Sequence, residues 1–133
     1  MKRLLIYIIT LAIATTVAIA QDYETDFREL QQQFEERLKT TPANLKAYMA
    51  SYPYTTYADE IYFMEGVLYA EKGKYKQAIK AFSKVNAKNL SRESQPMLYF
   101  YWGYTLVKQN NYQQALSQLL RLKNQNKKSA FYF

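Results

Sequence analysis

The sequence predicts an all-α protein: a solenoid of helical hairpins repeating every 37 residues, preceded by two N-terminal helices. Three observations carry this. Only 3 Gly and 3 Pro occur in 133 residues, against 49% hydrophobic residues, 14 Tyr and 7 Phe, which suits neither a turn-rich all-β chain nor a disordered one. Apolar residues recur at intervals of three and four, the helical period. A slide of 37 residues superposes Tyr62 on Tyr99, Phe63 on Phe100, Gly66 on Gly103, Tyr75 on Tyr112, Gln77 on Gln114 and Ala78 on Ala115. The absence of His and Cys excludes His-based triads, thiol nucleophiles, zinc-finger spacings and disulfide frameworks.

Residues 1–20 read as a secretory signal peptide. Met1, Lys2 and Arg3 form a positive start, Leu4 to Ala14 an uncharged apolar run, and Ala18-Ile19-Ala20 an A-x-A cleavage site that would leave Gln21 first. The alternative is an uncleaved anchor, but Leu4 to Ala20 is 17 residues, just short of a spanning helix. A lipid anchor lacks its cysteine. Export predicts a periplasmic or outer-membrane-associated protein of a Gram-negative bacterium, with no transmembrane helix after cleavage. The charge then divides unevenly: Gln21 to Gly66 carries 4 basic and 9 acidic residues, Val67 to Phe133 carries 12 basic and 2 acidic. An exported protein does not ordinarily meet nucleic acid, so the formal +7 points to anionic envelope polymers, lipid headgroups or an acidic partner, or to a solvated lysine face.

The N-terminal helical segment is 21–57. From Asp22 to Lys39, Phe27, Leu30, Phe34 and Leu38 form one apolar stripe among Glu, Gln and Arg, an amphipathic helix. Thr41-Pro42 restarts the chain, since proline in the first turn gives up only an amide that would be unpaired anyway. A short helix runs from Ala43 to Ser51, with Leu45, Tyr48 and Met49 as its apolar face, and Tyr52-Pro53 ends it.

Residues 58–128 form two repeats, 58–95 and 96–128. Each is a helix, a tight turn at Gly73 or Asn110-Asn111, and a second helix from Tyr75 or Tyr112, with a linker at about 86–95 between them. Gly66 and Gly103 stand mid-helix, where glycine costs about 1 kcal/mol against alanine, so close helix approach is their compensation. Ala78 and Ala115 are the small residues expected to face them. Tyr62, Tyr69 and Phe82, then Tyr99, Trp102, Leu106 and Leu119, supply the apolar filling. Residues 129–133, Ser-Ala-Phe-Tyr-Phe, read as the opening of an incomplete third repeat, which makes the chain the N-terminal portion of a longer array.

Aromatic-x3-Gly-x2-Tyr or Leu followed by Tyr-x2-Ala-x3-Phe or Leu resembles the tetratricopeptide repeat over Asp59 to about Lys123. The approach Tyr52 to Asp59 is similar to that of periplasmic tetratricopeptide proteins of the BamD and YbgF kind. The 37-residue period exceeds the family's usual ~34, and the final proline position holds Leu90 and Lys127. The resemblance implies a concave face built by the first helix of each repeat. Glu60, Phe63, Val67, Ala70 and Glu71 would line it in the first repeat, and Met97, Phe100, Tyr104, Val107 and Lys108 in the second. Phe63, Val67, Phe100, Tyr104 and Lys108 are the candidate partner-binding residues.

Lys72, Lys76, Lys80, Lys84 and Lys88 recur every four residues and on one helix would form a ridge; Lys76, Lys80 and Lys84 are its candidate anion-binding members. The acidic residues best placed for catalysis are Asp59, Glu60 and Glu65. Glu60 and Glu65 share no helix face, and Asp59-Glu60 suits the positive end of a helix dipole. No catalytic, cofactor-binding or metal-ligating constellation is visible. The function this predicts is a non-enzymatic protein-interaction scaffold of the bacterial envelope, docking a protein or peptide partner on its concave face. The alternative is a binder of anionic glycan or lipid through the lysine ridge and tyrosines.

Overall fold

The computed structural model describes residues 2–128, leaving aside the side chains of 5, 14–21 and 126–128. The proposed third-repeat start at 129–133 and the side chains of the Ala18-Ile19-Ala20 site lie outside the described residues. All regular structure among the described residues is helical: α1 Lys2–Glu35, α2 Thr41–Ser51, α3 Ala58–Glu71, α4 Tyr75–Phe82, a 3-10 turn Ala87–Asn89, α5 Ser94–Lys108 and α6 Tyr112–Lys128. None of these helices is long and apolar enough to cross a membrane. The chain divides into two compact units between Pro53 and Tyr54.

In the first unit α1 runs without a break from Lys2 to Glu35, and Leu4, Ile6, Tyr7, Ile8, Ile9, Leu11 and Ile13 are exposed along its start. Phe27, Leu30 and Phe34 are buried as their spacing predicts, but Leu38 is not. The helix stops at Glu35 because Arg37 turns left-handed (φ 53°), and the Leu38 N–H bonds back to the Gln33 carbonyl at 3.1 Å. That places Leu38 beyond the helix and in solvent. The Arg37 guanidinium lies over the Phe34 ring, 4.2 Å from its centroid, and covers the end instead. Across the turn, buried Thr41 donates to the Gln33 carbonyl (3.0 Å), and α2 packs Leu45 and Tyr48 against α1, with Tyr48 donating to the Tyr23 carbonyl at 3.2 Å.

The second unit repeats this construction twice. Helix α3 ends at Gly73 (φ 71°), with the Lys74 N–H on the Tyr69 carbonyl at 2.9 Å; α5 ends at Asn110 (φ 58°), with the Asn111 N–H on the Leu106 carbonyl at 2.9 Å. Arg37, Gly73 and Asn110 are thus three left-handed helix ends 36 and 37 residues apart, each closing a Schellman motif. The N-terminal helices are therefore a hairpin of the same construction, one that the sequence reading does not count as a repeat.

What faces the mid-helix glycines differs from expectation. The ring of Phe82, rather than Ala78, lies where a Gly66 side chain would be, and Leu119 lies where a Gly103 side chain would be, with the Ala115 carbonyl 3.6 Å away. The alanines are buried one turn earlier, at 0% and 2% exposure. Phe82 is itself fully buried and meets the Trp102 ring at 6.3 Å, so one side chain joins hairpin to hairpin. Burying it contributes roughly 1.5–3 kcal/mol. Tyr62 and Tyr69 are half-buried, while Tyr99 and Leu106 are buried. Leu119 packs on Gly103 with one flank and is exposed on the other, as are Leu116 and Leu120, because no described helix covers that side of α6.

Candidate functional site

The link between the hairpins is held by the two acids that open α3. The Asp59 carboxylate accepts from the Asn86 backbone N–H (2.6 Å) and from Asn89 Nδ2 (2.8 Å), pinning the 3-10 turn. The Glu60 carboxylate, buried, accepts from the Ser91 N–H (2.6 Å) and the Ser94 hydroxyl (2.9 Å) at the start of α5. Ser91 Oγ also accepts from the Ser94 N–H at 3.1 Å, so this helix start is satisfied by a hydroxyl and a carboxylate together. These acids are structural anchors. Glu60 accordingly leaves the predicted groove, and both carboxylates are tied to the linker. Among the described residues no acidic group is assembled to hold a metal ion.

Of the five candidate partner-binding residues, the structure separates two from three. Phe63 and Val67 are 2% and 0% exposed. No residue from Ala58 to Ala70 is exposed, since Ile61, Phe63, Met64, Val67, Leu68 and Ala70 leave α3 without an open apolar flank, and a helix apolar on most of its circumference is a core helix. Phe63 and Val67 are thus core residues, not docking residues. The equivalent helix α5 is divided. Leu98, Tyr99, Gly103, Thr105 and Leu106 face inward, and Met97, Phe100, Tyr104 and Val107 are 39%, 51%, 40% and 41% exposed. Their spacing of three, four and three places them in one line on α5, with Lys108 following them in solvent.

The C-terminal end of that line is organised by aromatic and basic groups. The Tyr75 ring stands edge-on to Tyr104, centroids 6.2 Å apart, and the hydrogen bond between their hydroxyls holds the Tyr75 phenol pKa above its ordinary 10.0. Lys108 Nζ lies 5.5 Å from the Tyr104 ring centre. At the edge nearer α3, the Tyr101 hydroxyl donates to Glu71 at 3.2 Å.

The lysine ridge does not form. Helix α4 spans only Tyr75–Phe82, after which the Lys84 and Val85 amides bond to the carbonyls three residues back. Of the series only Lys76 and Lys80 share a helix. Lys72 caps α3, Lys84 lies past the end of α4 with its Nζ 4.9 Å over the Tyr62 ring, and Lys88 sits in the 3-10 turn. A four-residue period carries no information about where the helix carrying it ends, and of Lys76, Lys80 and Lys84 only the first two share α4, while Lys84 is turned to the Tyr62 ring.

Helical hairpins closed by left-handed residues, packed through a mid-helix glycine and joined by an aromatic pair, define a repeat protein of the tetratricopeptide type. The pattern of the Iml2/Tetratricopeptide repeat protein 39 family matches residues 3–133, and the chain belongs to that family. No curated protein and no solved structure matches it. A repeat family of this kind indicates a protein-interaction scaffold and protein partners.

Proposed function

We propose that the chain is a non-enzymatic scaffold of the bacterial cell envelope. It is exported by its leading segment and docks a partner segment on the exposed face of α5. The observation that carries the docking role is the contrast between equivalent helices: Phe63 and Val67 are buried in α3, whereas Phe100 and Tyr104, 37 residues on, stand in solvent in line with Met97 and Val107. Aromatic side chains held on a rigid helix are efficient anchors, because little conformational freedom is lost when they are covered. The envelope assignment rests on the basic start, apolar run and Ala18-Ile19-Ala20, and the resemblance to envelope tetratricopeptide proteins suggests outer-membrane or cell-wall assembly as its setting.

The docking role is tested with a photo-crosslinking residue at position 100 or 104 in living cells. A discrete protein adduct at both positions, absent from position 80 on α4 and lost when Val107→Asp is added, is the expected result; adducts indifferent to Val107→Asp would remove the α5 face from the function. N-terminal sequencing of the mature chain checks export, with Gln21 as the expected first residue.

A further inference from the structure

The exposed line on α5 is apolar along its length and basic at its C-terminal end. Lys108 follows Val107 and reaches the Tyr104 ring; Tyr75, edge-on to Tyr104, is flanked in the chain by Lys74 and Lys76, and all three lysines are exposed. None of them, nor Lys72, enters an ion pair among the described residues, where the ion pair found is Arg28–Glu24. Of the nearby acids, Asp59 and Glu60 hold the linker and Glu71 accepts from the Tyr101 hydroxyl. The basic charge that the sequence places in the second half is thus left facing outward beside an uncovered apolar line.

We propose that this face recognises an acidic amphipathic protein segment. Its apolar side chains would cover Met97, Phe100, Tyr104 and Val107, and its carboxylates would meet Lys108 and the Lys74–Lys76 turn. The inference rests on the docking role of α5 and adds the chemistry of the partner. The line from Met97 to Val107 covers ten helical rises, about 15 Å, the length of roughly three helical turns. Carboxylates fit the end because the Lys108 ammonium lies over the Tyr104 ring there and Lys74 and Lys76 flank Tyr75 in the chain, and hydrogen bonds to charged partners are the stronger kind.

The test uses the full chain and two labelled synthetic peptides with the same leucine spacing, one flanked by glutamates and one by lysines, read by fluorescence anisotropy. The glutamate peptide is expected to bind about tenfold more tightly at low salt, with the gap closing near 1 M salt, where the Debye length falls to roughly 3 Å. Lys108→Glu closes the gap at low salt, and Phe100→Ala weakens both peptides; both sites are exposed, so neither substitution threatens folding. Equal binding of the two peptides, still weakened by Phe100→Ala, overturns the acidic partner and leaves the docking role standing. Indifference of both peptides to Phe100→Ala overturns both. Binding of phosphatidylglycerol vesicles through Lys108, with neither peptide bound, also overturns the proposal and makes the face a lipid surface.

Discussion

Replacing each mid-helix glycine by alanine should give opposite results in the two hairpins. At Gly66 an added Cβ would sit 2.9 Å from Phe82 Cζ and closer still to Cε1 and Cδ1, against an optimum carbon separation of about 3.5–4.0 Å. Phe82 is fully buried and backed by Trp102, so its ring has nowhere to go. Overpacking of this kind costs about 1–3 kcal/mol, here toward the upper end because the ring cannot move, and alanine returns about 1 kcal/mol of helix propensity, leaving Gly66→Ala destabilising by up to about 2 kcal/mol. At Gly103 the added Cβ meets Leu119 Cδ2 and Cγ at 2.9 Å, but Leu119 is 37% exposed and can swing outward. Propensity then dominates, and Gly103→Ala should be neutral or stabilising by up to about 1 kcal/mol.

Urea unfolding followed by far-UV circular dichroism separates the two. With a slope of roughly 1–3 kcal/mol/M for a small protein, the difference between the variants corresponds to about 1 M in midpoint. The double variant Gly66→Ala/Phe82→Leu completes a cycle in which the smaller side chain relieves the added methyl, so the pair should be less damaging than the sum of its parts by about 1 kcal/mol. Equal shifts at Gly66 and Gly103, or strict additivity in the cycle, would refute the close-approach reading of both glycines.

Three further outcomes follow from the same structure. Glu60→Ala leaves the Ser91 N–H and Ser94 hydroxyl without their buried acceptor and should cost about 2–4 kcal/mol, while Glu60→Gln, which keeps an acceptor, should cost less than half of that in the same urea assay. Gln118 is buried with its Oε1 unbonded among the described residues, so Gln118→Met should raise stability by about 1 kcal/mol, read as a rise in melting temperature. The Tyr52 hydroxyl donates to Asp26 at 2.6 Å, and that bond first, then burial and the Asp26 and Asp22 charges, raise its pKa above 10.0. A raised folded value means this contribution is complete below pH 10 and fades as pH climbs through the folded value. Wild type and Tyr52→Phe should therefore converge in stability above pH 10, and a constant gap would count against the bond.

Much of the architecture is legible in the residues because it rests on pairs that must occur together. A glycine inside a helix is costly unless another side chain needs its place, and Phe82 and Leu119 stand 16 residues after Gly66 and Gly103, where a hairpin returns them. Gly73 and Asn110 mark their turns because few residues accept a positive φ. The first hairpin escapes the same reading for a local reason. Leu30 stands 36 residues before Gly66, in place of a glycine, and Arg37 takes the left-handed position while leaning on Phe34, so neither marker residue is present. What does recur is Phe27, Phe63 and Phe100, a signal of one residue type and therefore weak alone.

The exposure of the candidate partner-binding residues is only half legible in the sequence. Phe63 and Phe100 are the same residue at the same repeat position, yet one is 2% and the other 51% exposed. Nothing in either residue or its immediate neighbours sets that difference; it depends on what packs beside the helix. In a repeat array the same position of two hairpins can therefore be core in one and surface in the other. The phenylalanine that is buried in α3 is exposed in α5 with no change of residue type, and what does change at the end of the line is Glu71, drawn to Tyr101, against Lys108, over the Tyr104 ring. Exchanging the charges of those two equivalent positions, Glu71→Lys with Lys108→Glu, should keep the apolar line intact while reducing the preference for the glutamate peptide, by less than Lys108→Glu alone because the new lysine restores positive charge beside Tyr101. Unchanged preference in that exchange would mean that the end of α5 does not select the partner.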